Sequence, residues 1–370
     1  MLLTPTEVRP RPLRSGERGV VDEPVLHDSQ VQSWRANGFA FVDGLFSPEL
    51  IDTLRTEATA RFAAPGTSEA AEVSDFGNAL TFPADLPAFN EVTLHPRLLT
   101  AIGQLLGRPV ADLRLTQSDL WPKYGRTERT GGVYDNQDQR IHIDYPNHTL
   151  VHPAPWDRPE VVELILYLSD HRHCGGSTAV VPRTGPDDPA YRWPIVDSPG
   201  IGDLDWVNDR SSAERYLAER RPDIADWRRQ LYERERLVAF QPGSVLFYRH
   251  DTWHRGTPLV PGGFRLAHNM TYRRADCEWI NTLHRGWSWK MYRKDKLMER
   301  LIAGLQVDQR TVLGFPEPGS TYWSAETLDG VEARYGPLGM DMTPYRRAVV
   351  PSDDVGPASG PASGPVDGSV

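Results

Sequence analysis

Cysteine is nearly missing from this chain: Cys174 and Cys277 are the two in 370 residues. So few thiols build no disulfide framework, and their spacing matches no zinc-ribbon or zinc-finger pattern, so a reduced cytoplasm is the expected compartment. Long apolar runs are missing too. No stretch approaches the roughly 20 apolar residues of a membrane helix, and the start Met-Leu-Leu-Thr-Pro lacks a signal peptide's apolar core and cleavage site. A soluble protein with no membrane partner is expected. Positive charge is the third shortage. Lys and Arg number 41 against 50 Asp and Glu, a net charge of -9. Phosphate backbones are bound by a basic face, which argues against nucleic acid as the main partner.

The length allows a sizeable core, and one large β-rich domain with helical additions fits the order of segments. Residues 1–25, rich in proline, arginine and glycine, read as a flexible arm. Residues 352–370, with a Gly-Pro-Ala-Ser repeat, read as a disordered tail. Between them lies a single domain over 26–347. A helix from Asp28 through Trp34 should stop at Gly38, and Ser47-Pro48-Glu49 should open another, with serine as cap and proline in the first turn. Leu98, Leu99, Ile102, Leu105 and Leu106 form a helical stripe of the kind that faces a core. Short apolar runs near 39–42, 113–121, 161–168, 177–181, 237–240, 244–249 and 264–272 read as strands. Residues 186–236 read as a helical insertion interrupted at Pro222, and 281–347 as a helical extension.

One stretch carries chemistry. In Gln139-Arg140-Ile141-His142-Ile143-Asp144-Tyr145 the side chains of an extended chain alternate, so His142 and Asp144 share one face while Ile141 and Ile143 take the other. An isolated His-x-Asp is also a common surface pair. A third ligand would complete the two-histidine, one-carboxylate set that holds non-haem Fe(II), and His254, at the end of an apolar strand, is the natural candidate. His171, His173 and Cys174 are also close in sequence, but adjacent loop residues without a distant partner pair read as solvent-facing rather than as a second metal site.

The order of motifs adds a second argument. His142-x-Asp144 is followed by Gly175-Gly-Ser-Thr-Ala-Val-Val-Pro182, then Pro242-Gly-Ser-Val-Leu-Phe-Tyr248, then Trp253-His254, then Arg265 eleven residues on. This order resembles the phytanoyl-CoA dioxygenase family of iron and 2-oxoglutarate enzymes, from about Val31 to Tyr272. The resemblance implies a mainly β, double-stranded β-helix (a cupin-like jelly roll) with flanking helices. It further implies that His142, Asp144 and His254 hold Fe(II), with 2-oxoglutarate and O2 as cosubstrates. Arg265, whose guanidinium fork matches a carboxylate, would hold the far end of 2-oxoglutarate together with Thr257. On the strand that lines the site in that family, Lys123 would meet a cosubstrate carboxylate and Gln117 the substrate. The expected reaction is hydroxylation of a small-molecule substrate at an unactivated carbon. The glycine-rich loop from Gly125 to Asp138 reads as a lid or as a plain surface connection.

Two rival readings stay open at this stage. A zinc ion on the same three ligands could activate water for hydrolysis, which leaves Arg265 without a task. A jelly roll that only binds would need neither the three ligands nor the arginine.

Overall fold

The computed structural model describes residues 2–9, 23–73, 78–126, 138–145, 153, 156–185, most of 187–277, 297–313 and most of 315–349. In chain order its strands are β1 (Leu2–Leu3), β2 (Thr6–Glu7), β3 (Phe39–Asp43), β4 (Leu80–Thr81), β5 (Leu113–Tyr124), β6 (Val161–Tyr167), β7 (Thr178–Val180), β8 (Arg236–Val238), β9 (Val245–Tyr248), β10 (His254–Gly256) and β11 (Phe264–Arg274). Seven form one sheet in the order β2-β3-β9-β6-β11-β5-β4, and four form another in the order β1-β8-β7-β10. Sequence neighbours are seldom sheet neighbours, which is the crossing connectivity of a jelly roll. The sheets pack face to face. Phe41, Ile165, Tyr167, Leu246 and Ala267 of the larger meet Val180 and Val238 of the smaller in one buried cluster. The expected mainly β double-stranded β-helix with flanking helices is the observed fold.

Register decides which side chains enter the space between the sheets. On β11, Arg265 stands opposite Lys123 and Thr271 opposite Gln117 of β5, while Thr271 also stands opposite Glu163 of β6. Glu163 in turn stands opposite Tyr248 of β9. Directly opposed residues share a face, and Ala267 belongs to the inter-sheet cluster, so Arg265, Asn269 and Thr271 point inward with it. Leu266, Met270 and Tyr272 point outward, into a core shared with the helices.

Those helices follow the local signals. Helix Asp28–Asn37 ends at Gly38, whose φ of 93° is the left-handed conformation that a residue without a Cβ adopts freely. Helix Pro48–Arg61 starts on Ser47, whose side chain accepts from the Leu50 N–H at 3.2 Å. Helix Pro96–Leu106 buries the expected leucine stripe. The insertion forms helices Arg210–Arg220 and Pro222–Arg234, with Pro222 in the first turn of the second, where its missing N–H needs no partner. In the C-terminal extension, Ile302, Trp323, Tyr335 and Tyr345 gather into a separate apolar cluster.

One expectation needs correction. Residues 2–9, taken as part of a flexible arm, are paired: β1 runs parallel to β8 and β2 parallel to β3. Backbone ladders depend little on composition, and Gln30 adds side-chain bonds to the Thr6 and Glu7 carbonyls. Residues 10–22, the 352–370 tail and the start of the 281–347 extension lie outside the described residues. No helix among the described residues is long and apolar enough to cross a membrane.

Candidate metal centre

Residues 139–145 do not form the regular strand that alternation suggested. They run beside β10 through isolated bonds: Gln139 N–H to Gly256 O at 3.0 Å, His142 and His254 exchanging both bonds at 2.8 Å, and the Asp144 and Tyr145 N–H groups sharing His250 O. An extended backbone suffices for the alternation. Ile141 and Ile143 are buried among Leu217, Ile224 and Leu231 of the insertion. His142 and Asp144 take the other face. One ligand atom from each of His142, Asp144 and His254 lies within 4.8 Å of the other two. Nε2 of His254 is 3.1 Å from Asp144 Oδ2, and Nε2 of His142 is 3.5 Å from Oδ1. Among the described residues this is the one such cluster of three or more His, Cys, Asp or Glu side chains. His171, His173 and Cys174 instead share a single helical turn in which Cys174 is buried.

The donor set fits a metal. Nδ1 of His142 is 2.9 Å from Arg140 O, and Nδ1 of His254 is 2.9 Å from Thr252 O. Each carbonyl fixes the proton on Nδ1 and leaves the Nε2 lone pair facing the centre, as ligating histidines require. Two of the three charge states, those of His142 and Asp144, agree in the metal-free protein. Burial, followed by the neighbouring His254, pushes His142 down to about 3, so its ring is neutral. Burial alone would raise Asp144, but the two imidazoles outweigh it and hold the carboxyl well below its ordinary range. His254 is likewise depressed by burial but carried above its ordinary value by Asp144.

Two residues beside the triad were not singled out from sequence. The Tyr248 hydroxyl donates to Asp144 Oδ2 at 3.1 Å, and its ring centroid lies 4.7 Å from that of His254. Glu163 hydrogen-bonds both Asp144 and Tyr248; burial and then the Asp144 charge raise its carboxyl well above the usual value. Its carboxyl rests against that of Asp144. The signal was present, because Glu163 is the one charged residue in the apolar run Val161–Leu168.

Arg265 is buried on the inward face. Its Nη1 donates to Gly176 O, while its Nε is buried without a hydrogen-bond partner among the described residues. No carboxylate there pairs with it, and burial lowers its pKa. Lys123, directly opposite, is buried on the same face. The buried Arg265 Nε–H, without a partner among the described residues, makes this end of the barrel suit a carboxylate. The Thr257 hydroxyl donates to Ser177 O at 2.8 Å, one residue along from the Gly176 carbonyl that Arg265 holds. Gln117 faces inward but bonds within its own sheet, donating to Asp119 Oδ2 at 3.0 Å and accepting from Thr271 Oγ1 at 3.3 Å. Most of the Gly125–Asp138 loop read as a lid lies outside the described residues.

The family model described as "Phytanoyl-CoA dioxygenase (PhyH)" matches residues 34–267. No curated protein matches the chain. Similar solved structures include the non-heme alpha ketoglutarate dependent carbocyclase SnoK from nogalamycin biosynthesis, at 18% identity and a TM-score of 0.47 over 74% of this chain and 94% of that one. EctD from S. alaskensis in its apoform is similar at 16% identity and a TM-score of 0.45, over 74% and 85%. HygX from Streptomyces hygroscopicus with nickel and 2-oxoglutarate bound gives 16% and 0.42, over 68% and 87%.

Proposed function

The chain belongs to the phytanoyl-CoA dioxygenase family, and from that premise we propose that it is an Fe(II)- and 2-oxoglutarate-dependent oxygenase that hydroxylates an unactivated carbon of a small-molecule substrate. The observation that carries this reading is the pairing of a His142–Asp144–His254 cluster, His254 buried and the other two half-buried, with a buried arginine whose Nε lacks a partner among the described residues. His142, Asp144 and His254 would hold the iron, through Nε2 of each imidazole and a carboxylate oxygen of Asp144. Bound there, Fe(II) supplies the redox chemistry that couples O2 and the decarboxylation of 2-oxoglutarate, to succinate and CO2, with oxidation of a substrate carbon. Every other task falls to side chains. Arg265 and Lys123 receive the far carboxylate of 2-oxoglutarate, with the Thr257 hydroxyl beside them. Tyr248 fixes one oxygen of Asp144 and so sets the direction in which the other points. His142 and Asp144 keep side-chain exposures of 13% and 16%, so a substrate seated over them would complete the exclusion of bulk water from the reacting atoms. Asp144 occupies the carboxylate position, which favours hydroxylation over halogenation, a reaction that needs that position vacated for a halide. A zinc hydrolase on the same ligands leaves Arg265 without a task.

Anaerobic addition of Fe(II) and then 2-oxoglutarate should produce a visible charge-transfer band, and admitting O2 should release succinate. Fe(II) binding with no band on 2-oxoglutarate addition would remove the cosubstrate from the reading. Chlorinated product formed in chloride buffer would replace hydroxylation as the outcome.

A further inference from the structure

The segment that carries two of the three ligands is held by isolated bonds, not by a ladder, so something else must fix its position. The insertion does so at several points. The Ile141 peptide, immediately before His142, is held at both ends: its N–H donates to Tyr232 Oη at 3.1 Å and its carbonyl accepts from Arg228 Nη2 at 3.1 Å. Glu214 joins these two, accepting from Tyr232 Oη and from Arg228 Nη2 at 2.7 Å each. Arg228 is fully buried and also donates to Asp197 O at 2.9 Å. One residue further back, the Arg140 N–H donates to Asn208 O at 2.8 Å and its guanidinium to Asn208 Oδ1 and Pro199 O at 3.0 Å each.

The same insertion reaches the third ligand. Arg255, immediately after His254, is gripped bidentately by Glu235, the residue that ends helix Pro222–Arg234, at 2.8 Å through both Nε and Nη2. Trp253, immediately before His254, packs edge-on against Trp227 of that helix with ring centroids 5.6 Å apart. Buried charges and backbone groups held this completely are rigid, because each bond broken leaves an unsatisfied partner.

We propose that the insertion is the positioning element of the metal centre, with Tyr232, Arg228 and Glu235 fixing the spacing between His142 and His254 from behind both ligand segments. The proposal rests on the metal-binding reading above. These helices hold the residues immediately before and after the ligands, where they can set ligand geometry without contacting substrate.

The test uses the full chain and Co(II) alone as the probe. Tyr232→Phe removes the hydroxyl that receives the Ile141 N–H, and Glu235→Gln breaks the bidentate grip on Arg255. Ala213→Gly serves as control, since it weakens helix Arg210–Arg220 of the insertion at a buried position outside the apolar cluster that holds Ile141 and Ile143. Outer-sphere partners typically govern about 10-fold to 100-fold in metal affinity, so Tyr232→Phe and Glu235→Gln should weaken Co(II) binding about 10-fold or more and alter its visible d–d bands. In the metal-free protein, hydrogen exchange across 139–145 should accelerate in Tyr232→Phe. Ala213→Gly should lower Tm and leave the Co(II) affinity and spectrum as in the parent. The proposal is overturned if the two variants bind Co(II) like the parent with unchanged exchange, or if Ala213→Gly loses as much affinity as they do. Failure of the unmodified protein to bind Co(II) sinks the metal reading itself, whereas normal parental binding with indifferent variants sinks the positioning role alone.

Discussion

Replacing Arg265 by methionine should stabilise the ligand-free protein and abolish its response to 2-oxoglutarate, two effects of opposite sign from one substitution. The guanidinium is buried with one hydrogen bond, to Gly176 O, while its Nε–H has no partner among the described residues. A buried donor left unsatisfied costs about 1–3 kcal/mol, and methionine keeps the length of the stem while removing it. Large single domains gain roughly 2–4 °C per kcal/mol, so Tm without ligands should rise by a few degrees. The parent, given Co(II) and 2-oxoglutarate at about 100 times its Kd under nitrogen, should gain about 2.7 kcal/mol by mass action. The variant should gain the Co(II) increment only, because losing two charge-assisted bonds of about 1.5–3 kcal/mol each weakens 2-oxoglutarate at least 100-fold. Differential scanning fluorimetry with and without each ligand measures both effects. A variant that melts below the parent and still rises with 2-oxoglutarate would show that Arg265 is a structural cation whose partner lies elsewhere.

The remaining predictions concern the triad and its neighbours. His142→Ala and His254→Ala should each lose the Co(II) d–d bands, and a spectrum retained in either would remove that histidine from the ligand set. Tyr248→Phe deletes the 3.1 Å bond to Asp144 and should weaken Co(II) about 10-fold at unchanged Tm, read by titration calorimetry. Glu163 titrates above its ordinary value of 4.5, so the folded metal-free state holds a proton that the unfolded chain releases as pH rises past that value. The group is therefore fully compatible with folding in acid and opposes it progressively toward neutral pH. Glu163→Gln should remove that penalty, so the Tm difference, variant minus parent, should grow from pH 5 to pH 7; a difference that shrinks over that range contradicts a neutral Glu163.

Much of the barrel was readable because its signals are local. Apolar patterning in β5, β9 and β11, the Ser47 cap and the Gly38 stop depend on near neighbours in the chain. The shared face of His142 and Asp144 was readable for a related reason, since extended backbone alternates whether or not it joins a ladder. What could not be read were pairings set by register. Nothing near Lys123 shows that it will stand opposite Arg265, nor anything near Glu163 that it will meet Tyr248. The insertion's hold on the ligand segments needed contacts such as Tyr232 to Ile141, which link residues far apart in sequence. Residues 2–9 were misread because composition predicts packing poorly where backbone bonding decides.

That last feature has a bearing on how the protein behaves among its own copies. Strand edges carry rows of unpaired N–H and C=O groups that invite pairing with another chain. Here β1 covers the edge of the smaller sheet at β8 and β2 covers the edge of the larger at β3, so one short segment blunts both. Cutting or displacing it leaves the metal ligands untouched and bares two template edges at once. Self-association then becomes the hazard, and a fusion joined directly ahead of Leu2 invites it.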